Sequence, residues 1–149
     1  MSTVRPATTA DIPQLVDAYS WLFEPPGAKP GDWDPAVAAD RLERTIASPG
    51  SGVLVAVDSD QVSGFCTTYL DLESVRFGQR CWVEDLAVDP GLRSTGIGAA
   101  LLTAARDWAK AQGATHLELD SSTARTDAHR FYNRHHPTSH SLNFGWETA

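Results

Sequence analysis

Two short runs carry residue types and spacings able to do chemistry. The first is Arg93-Ser94-Thr95-Gly96-Ile97-Gly98, whose glycines keep side-chain bulk away from the backbone just ahead of an apolar-periodic stretch, Ala99 to Ala111. Ala100, Leu101, Ala104, Ala105 and Trp108 recur there at three- and four-residue steps, which predicts a long helix. The unpaired amides of a helix N-terminus carry positive partial charge, so Arg93 to Ala99 is expected to hold an anion, and phosphate is the usual one. The second run is the acid pair Glu84-Asp85 inside Trp82 to Val88, which reads as a strand stopped at Pro90-Gly91. Adjacent residues of a regular strand face opposite ways, so only one of the two carboxylates is expected to see a given ligand.

What the anion site lacks narrows its ligand. A Walker loop ends in Gly-Lys-Ser/Thr, whereas Gly96 is followed by Ile97. A dinucleotide fingerprint needs a third small residue, and that place is taken by Leu101. The run from Arg93 to Gly98 instead resembles the Gln/Arg-x-x-Gly-x-Gly/Ala signature of the GNAT family of N-acetyltransferases, and Glu84-Asp85-Leu86-Ala87-Val88 resembles that family's fourth strand. Ala128-His129-Arg130-Phe131-Tyr132 is similar to its second motif, Ala-x-x-Phe/Leu-Tyr.

The resemblance implies acetyl-CoA as the acetyl donor and no metal. Its pyrophosphate would rest on the amides of Arg93, Ser94, Thr95, Gly96, Ile97, Gly98 and Ala99, with Arg93 adding charge. Its pantetheine arm would lie along Leu86, Ala87 and Val88, with the Val88 N–H facing the thioester oxygen. Tyr132 would protonate the leaving thiolate, a role suited to a phenol with a pKa near 10. Glu84 would take the proton from the attacking amine, directly or through water, with Asp85 as a structural acid or water alone as the competing views. Family members often bulge this strand, which upsets the alternation just described. The implied reaction is direct attack, in a ternary complex, by a primary amine of a small molecule or by a lysine or N-terminal amine. The rival reading is a non-catalytic acyl-CoA-binding or regulatory module. Two departures stand out. His136-Pro137 replaces the family's Gly-Phe step after the tyrosine, and Arg125 stands where an Asn is usual, from which an arginine reaches phosphate.

Around these runs the elements are expected in the order β α α β β β α β α β. The strands are Thr3 to Pro6, Val53 to Val57, Val62 to Leu70, the acid-bearing strand, Thr115 to Asp120 and a final Ser141 to Trp146. The helices are one carrying Ile12, Leu15, Val16, Tyr19 and Leu22, one starting at Asp34-Pro35 with Val37, Leu42 and Ile46 on one side, the long helix, and Asp127 to Arg134. This predicts a single α/β (α+β) domain over 1–149, with a mixed, mostly antiparallel central sheet and helices on both faces. The family implication is the acyl-CoA N-acyltransferase-like fold.

With 42% hydrophobic and 21% charged residues the 149-residue chain is of ordinary globular composition. A net charge of −7 offers no basic surplus for nucleic acid or an anionic membrane and leans toward a cationic acceptor. Glu24, Asp32, Asp34, Asp71 and Glu73 are expected on the acceptor side, with Trp21, Phe23, Trp33, Tyr69 and Trp82 as pocket walls or core. No membrane-length apolar run or signal peptide is seen, so a cytoplasmic location is expected. Cys66 and Cys81, in strand-like sequence, are expected as buried free thiols. His129, His135, His136 and His140 lack zinc-helix spacing and read as solvated or capping side chains. The apolar last strand, Leu142 to Trp146, suggests a homodimer contact.

Overall fold

The computed structural model describes residues 2–149. The chain divides into two compact units, one running to Leu119 and a second, Asp120–Ala149.

The first unit is built on a five-stranded sheet of order β1-β2-β3-β4-β5, formed by Thr3–Pro6, Ser51–Asp58, Gln61–Leu70, Arg80–Val88 and His116–Leu119. The first four strands are antiparallel neighbours and β4 and β5 are parallel. Only a long crossover can join parallel neighbours, and the Ile97–Ala111 helix, α4, supplies it. Three more helices precede β2: α1 (Ile12–Ala18), α2 (Ser20–Phe23) and α3 (Pro35–Ala47). The single early helix expected through Leu22 is thus two, with Tyr19 at their junction. Pro35 opens α3 behind an Asp34 cap, whose carboxylate accepts the Ala36 N–H at 2.9 Å.

Strand alternation explains how the helices share the sheet. Val53 and Val55 of β2 with Phe65 of β3 face a core that holds Leu15 and Ala18 of α1 and Leu42 of α3. Leu54, Ala56 and Cys66 point the other way, onto Ile97, Leu101 and Ala105 of α4. The buried stripe of α4 is therefore Ile97, Leu101, Ala105 and Ala109, whereas Ala100 is exposed. On α3 the buried residues are Ala38 and Leu42, and Val37 turns outward. Gly64 lets α4 lie close on β3, since a Cβ there would stand 2.9 Å from both Ile97 Cγ2 and Leu101 Cδ1. The two cysteines are free and buried; Cys66 lies opposite Leu86 and Cys81 opposite Leu70, so they do not face each other. Burial pushes the Cys66 thiol up to about 12 and the Cys81 thiol up to about 11, which leaves both inert.

The second unit holds one helix, α5 (Thr126–Arg134). The final strand expected over Ser141 to Trp146 does not form: those residues have no helix or strand, and Leu142, Phe144 and Trp146 are exposed. Period-two alternation marks a half-buried strand only where a neighbouring strand completes its hydrogen bonds. No strand of the described residues pairs with this one.

Candidate active site

The register between β3 and β4 is regular except at one point. Thr67 pairs with Asp85, but the next residue, Thr68, pairs with Val83. Glu84 is therefore an extra residue, a bulge in β4. Thr67 holds it in place: the Asp85 N–H donates to Thr67 Oγ1 at 3.0 Å. The bulge shifts the phase of everything after it. Val83 packs with the α4 core and Ala87 with the opposite one, although four residues of regular strand would leave them on the same face.

One consequence corrects the sequence reading of the acid pair. Glu84 and Asp85 both line a single cavity on the α1 and α3 side of the sheet, of about 410 Å3. Its other walls are Tyr19, Trp33, four residues of α3 (Ala38, Arg41, Leu42, Thr45), Ser51 of β2, and Thr67, Thr68 and Tyr69 of β3. That size suits a small molecule. The two carboxylates have different settings. Asp85 is half-buried and accepts the Tyr19 hydroxyl at 2.8 Å. Burial first, then the Asp85 charge, pushes the Tyr19 phenol far above its ordinary value, so it stays a proton donor to Asp85. Glu84 is exposed to the cavity and solvent.

The second feature is that β5 stops short of the end of β4. Arg80 to Val83 pair with His116 to Leu119, and the Arg80 guanidinium grips Glu118 through two bonds of 2.6 and 2.5 Å. β5 ends there, while β4 continues along β3 as far as Val88. Leu86, Ala87 and Val88 thus extend past the end of β5.

β4 runs from these residues directly into the anion loop. Asp89 accepts the Gly91 N–H at 2.9 Å, and Thr95 Oγ1 donates to the Leu92 carbonyl at 2.5 Å. Gly96 caps α4 with φ 91°, and Ser94 also takes a positive φ, 64°. A Cβ at Gly96 would meet no atom within 4 Å, so glycine is needed there for its backbone angle and not for space. No side chain caps α4, and the amides of Arg93 to Ala99 have no backbone acceptor among the described residues. A cluster of unspent N–H groups at the head of a 15-residue helix is what a phosphate group requires, so the loop fits the implied cosubstrate. Arg93 is more than half exposed and lies 3.8 Å from Glu24, a screened pair that a phosphate can replace.

In the second unit, Tyr132 sits on α5 as the motif implied, with its ring edge-on to Phe131 at 5.3 Å. Arg125 is the helix N-cap. His129 Nε2 lies 2.9 Å from the Ser122 carbonyl and His140 Nε2 lies 2.8 Å from Asn133 Oδ1, local bonds that employ both rings. His136 stands just past the end of α5 at φ 55°, the left-handed position that glycine normally fills.

Several expectations change here. Glu24, Asp32, Asp34, Asp71 and Glu73 do not line the cavity; its acids are Glu84 and Asp85. Trp33 and Tyr69 wall it, while Trp21, Phe23 and Trp82 do not. Tyr19, Thr67 and the α3 residues escaped sequence reading. The trace they left is Arg41 and Thr45, polar residues on the same turns as the buried Ala38 and Leu42.

The chain is similar in sequence and fold to known proteins. Streptothricin acetyltransferase of Streptomyces lavendulae is 33% identical over 113 residues, 76% of this chain, and the chain spans only about half, 53%, of that relative's length. The aminoalkylphosphonate N-acetyltransferase of Salmonella typhimurium is 28% identical over 88% of this chain and 81% of its own. The crystal structure of an aminoglycoside N-acetyltransferase, AAC(6')-Iy, in complex with CoA superposes with a TM-score of 0.86 at 14% identity, covering 99% of this chain and 95% of that one, a likeness of fold. The sequence pattern of the acetyltransferase (GNAT) family matches residues 13–136. With both motifs inside that match and the strand bulge, the β4 extension past β5 and the open-headed helix in place, the chain belongs to the GNAT acetyltransferase family.

Proposed function

We propose that the chain is an acetyl-CoA-dependent N-acetyltransferase acting on a primary amine of a small molecule within a ternary complex. The observation that carries this reading is the β4 bulge, which turns Glu84 and Asp85 into one small-molecule-sized cavity while the same strand leads into the anion loop. Acetyl-CoA, when bound, supplies an activated acetyl group as a thioester. The amides of Arg93 to Ala99 hold its phosphates, and the backbone of Leu86 to Val88 orients the rest by hydrogen bonding. Glu84, the exposed acid, takes the ammonium proton directly or through water; Asp85, tied to Tyr19, positions. Tyr132 gives its proton to the departing thiolate, a role resting on its motif. Arg125 adds charge for phosphate. The relative named for N-acetylation of aminoalkylphosphonates and the fold shared with an aminoglycoside N-acetyltransferase both favour nitrogen as the acceptor atom.

The test is release of free CoA thiol from acetyl-CoA across a panel of primary amines. Amine-dependent release with a matching N-acetyl product is expected. Binding of acetyl-CoA with no release for any amine would contradict transfer and leave the non-catalytic binding module.

A further inference from the structure

The acceptor cavity carries charges of both signs. Glu84 and Asp85 bring its negative charge from β4, and Arg41 is the one Lys or Arg among its lining residues. The strands order these along the cavity: Ser51 lies on β2, Thr67 to Tyr69 on β3 and the acids on β4, two strand spacings or roughly 10 Å across. The β2 side belongs to α3, which is fastened there by the Ser51 hydroxyl donating to the Thr45 carbonyl at 2.9 Å. Arg41 lies one turn before Thr45 on that helix.

Arg41 is not spent within the protein. Its neighbour Arg44 pairs with Asp40 at 2.9 Å, whereas the Arg41 side chain has no ion pair or hydrogen bond among the described residues. The positions one turn either side of it are Val37, Ala38, Arg44 and Thr45, none of them acidic. A guanidinium presents a planar fork matched to the paired oxygens of a carboxylate or phosphonate. A purely polycationic acceptor would be repelled by it.

From this wall we infer that the acceptor is a compact zwitterion, whose ammonium lies at Glu84 and Asp85 and whose carboxylate or phosphonate is bound by Arg41. Arg41 is then a specificity-determining residue with no part in the chemical step. The inference rests on the acetyl-transfer reading of the same cavity and names its substrate class.

The experiment measures kcat and KM for four acceptors of matched chain length: an amino carboxylate, an aminoalkylphosphonate, a plain alkylamine and a diamine. Wild-type protein is compared with Arg41→Ala and Arg41→Glu, changes on an exposed helix position that leave the fold intact. Preference for at least one of the two zwitterions over the alkylamine is expected, and whichever anion is favoured identifies the source. Arg41→Ala should raise KM for that zwitterion by about ten- to a hundredfold with kcat little changed, the range for a hydrogen bond to a charged group, and leave the alkylamine KM unaltered. Arg41→Glu should shift preference toward diamines. An equal effect of Arg41→Ala on all four acceptors, or wild-type preference for the alkylamine or the diamine, would overturn the inference while acetyl transfer stands. Release of no CoA with any acceptor would overturn both.

Discussion

The proposed mechanism gives the proton handling to two side chains, Glu84 and Tyr132, and each makes a separate demand on kinetics. If Glu84 takes the ammonium proton, Glu84→Gln should lower kcat by about two to four orders of magnitude at neutral pH, and the loss should shrink as pH rises and the amine deprotonates unaided. A rate independent of this substitution would hand the role to water or Asp85. Tyr132→Phe should cut turnover by about two to four orders while leaving acetyl-CoA affinity nearly unchanged, because the phenol is needed only as the thiolate leaves. Unchanged turnover would remove Tyr132 from the mechanism. Tyr19 differs from both: its hydroxyl is held protonated by burial and by Asp85, so it orients a carboxylate and has no proton to exchange. The sequence points to Tyr132 and Glu84 because each lies in a contiguous motif. Tyr19 and Arg41 reach the cavity from helices distant in the chain, and no local pattern announces them.

At the level of elements, the β4 bulge is braced by the Asp85 N–H donating to Thr67 Oγ1. Thr67→Val keeps the shape of the side chain but strands the Asp85 N–H beside a buried position, which should cost about 1–3 kcal/mol. It should also lower kcat, since the acids lose their shared facing; thermal unfolding and kinetics on the same variant check both, and a variant of full stability and activity would show that Thr67 does not hold the bulge. The anion loop is governed by Gly96. Gly96→Trp puts a bulky side chain at φ 91°, where strain is of order 1–2 kcal/mol, so the fold should survive while acetyl-CoA binding is lost. Undiminished affinity would refute the loop as the phosphate site. Element type and order through β5 were legible from periodicity and turn residues, because the strands and helices of the first unit meet a core that rewards their pattern. The bulge was legible only through the family resemblance, since one inserted residue changes register without changing composition. Leu142, Phe144 and Trp146 misled for the opposite reason, a strand pattern without a strand to pair with.

For the molecule as a whole, the net charge of −7 does not set the acceptor's charge; the cavity does, with two acids and one arginine. Stability toward acid is set in part by the pair that ties β1 to the turn ahead of α1. Arg5 donates to Asp11 at 2.8 and 2.9 Å, and Asp11 also accepts the Thr8 N–H at 2.8 Å. The Arg5 hydrogen bonds hold the Asp11 carboxyl below its usual range. A carboxyl lowered in the folded state contributes its stability above the unfolded pKa of about 4, and that contribution fades as pH falls through the folded value. Wild-type melting temperature should therefore drop below about pH 4, and Asp11→Asn should lower it at pH 7 while flattening the acid limb. An unchanged acid limb in that variant would remove Asp11 from the account. The central claim is that one strand, one loop and one helix head form an acetyl-CoA site, and calorimetric titration of the purified protein tests it most directly. Saturable binding of acetyl-CoA, with ATP and NAD bound far more weakly, is the predicted result. No binding, or ATP or NAD bound as well as acetyl-CoA, would contradict it.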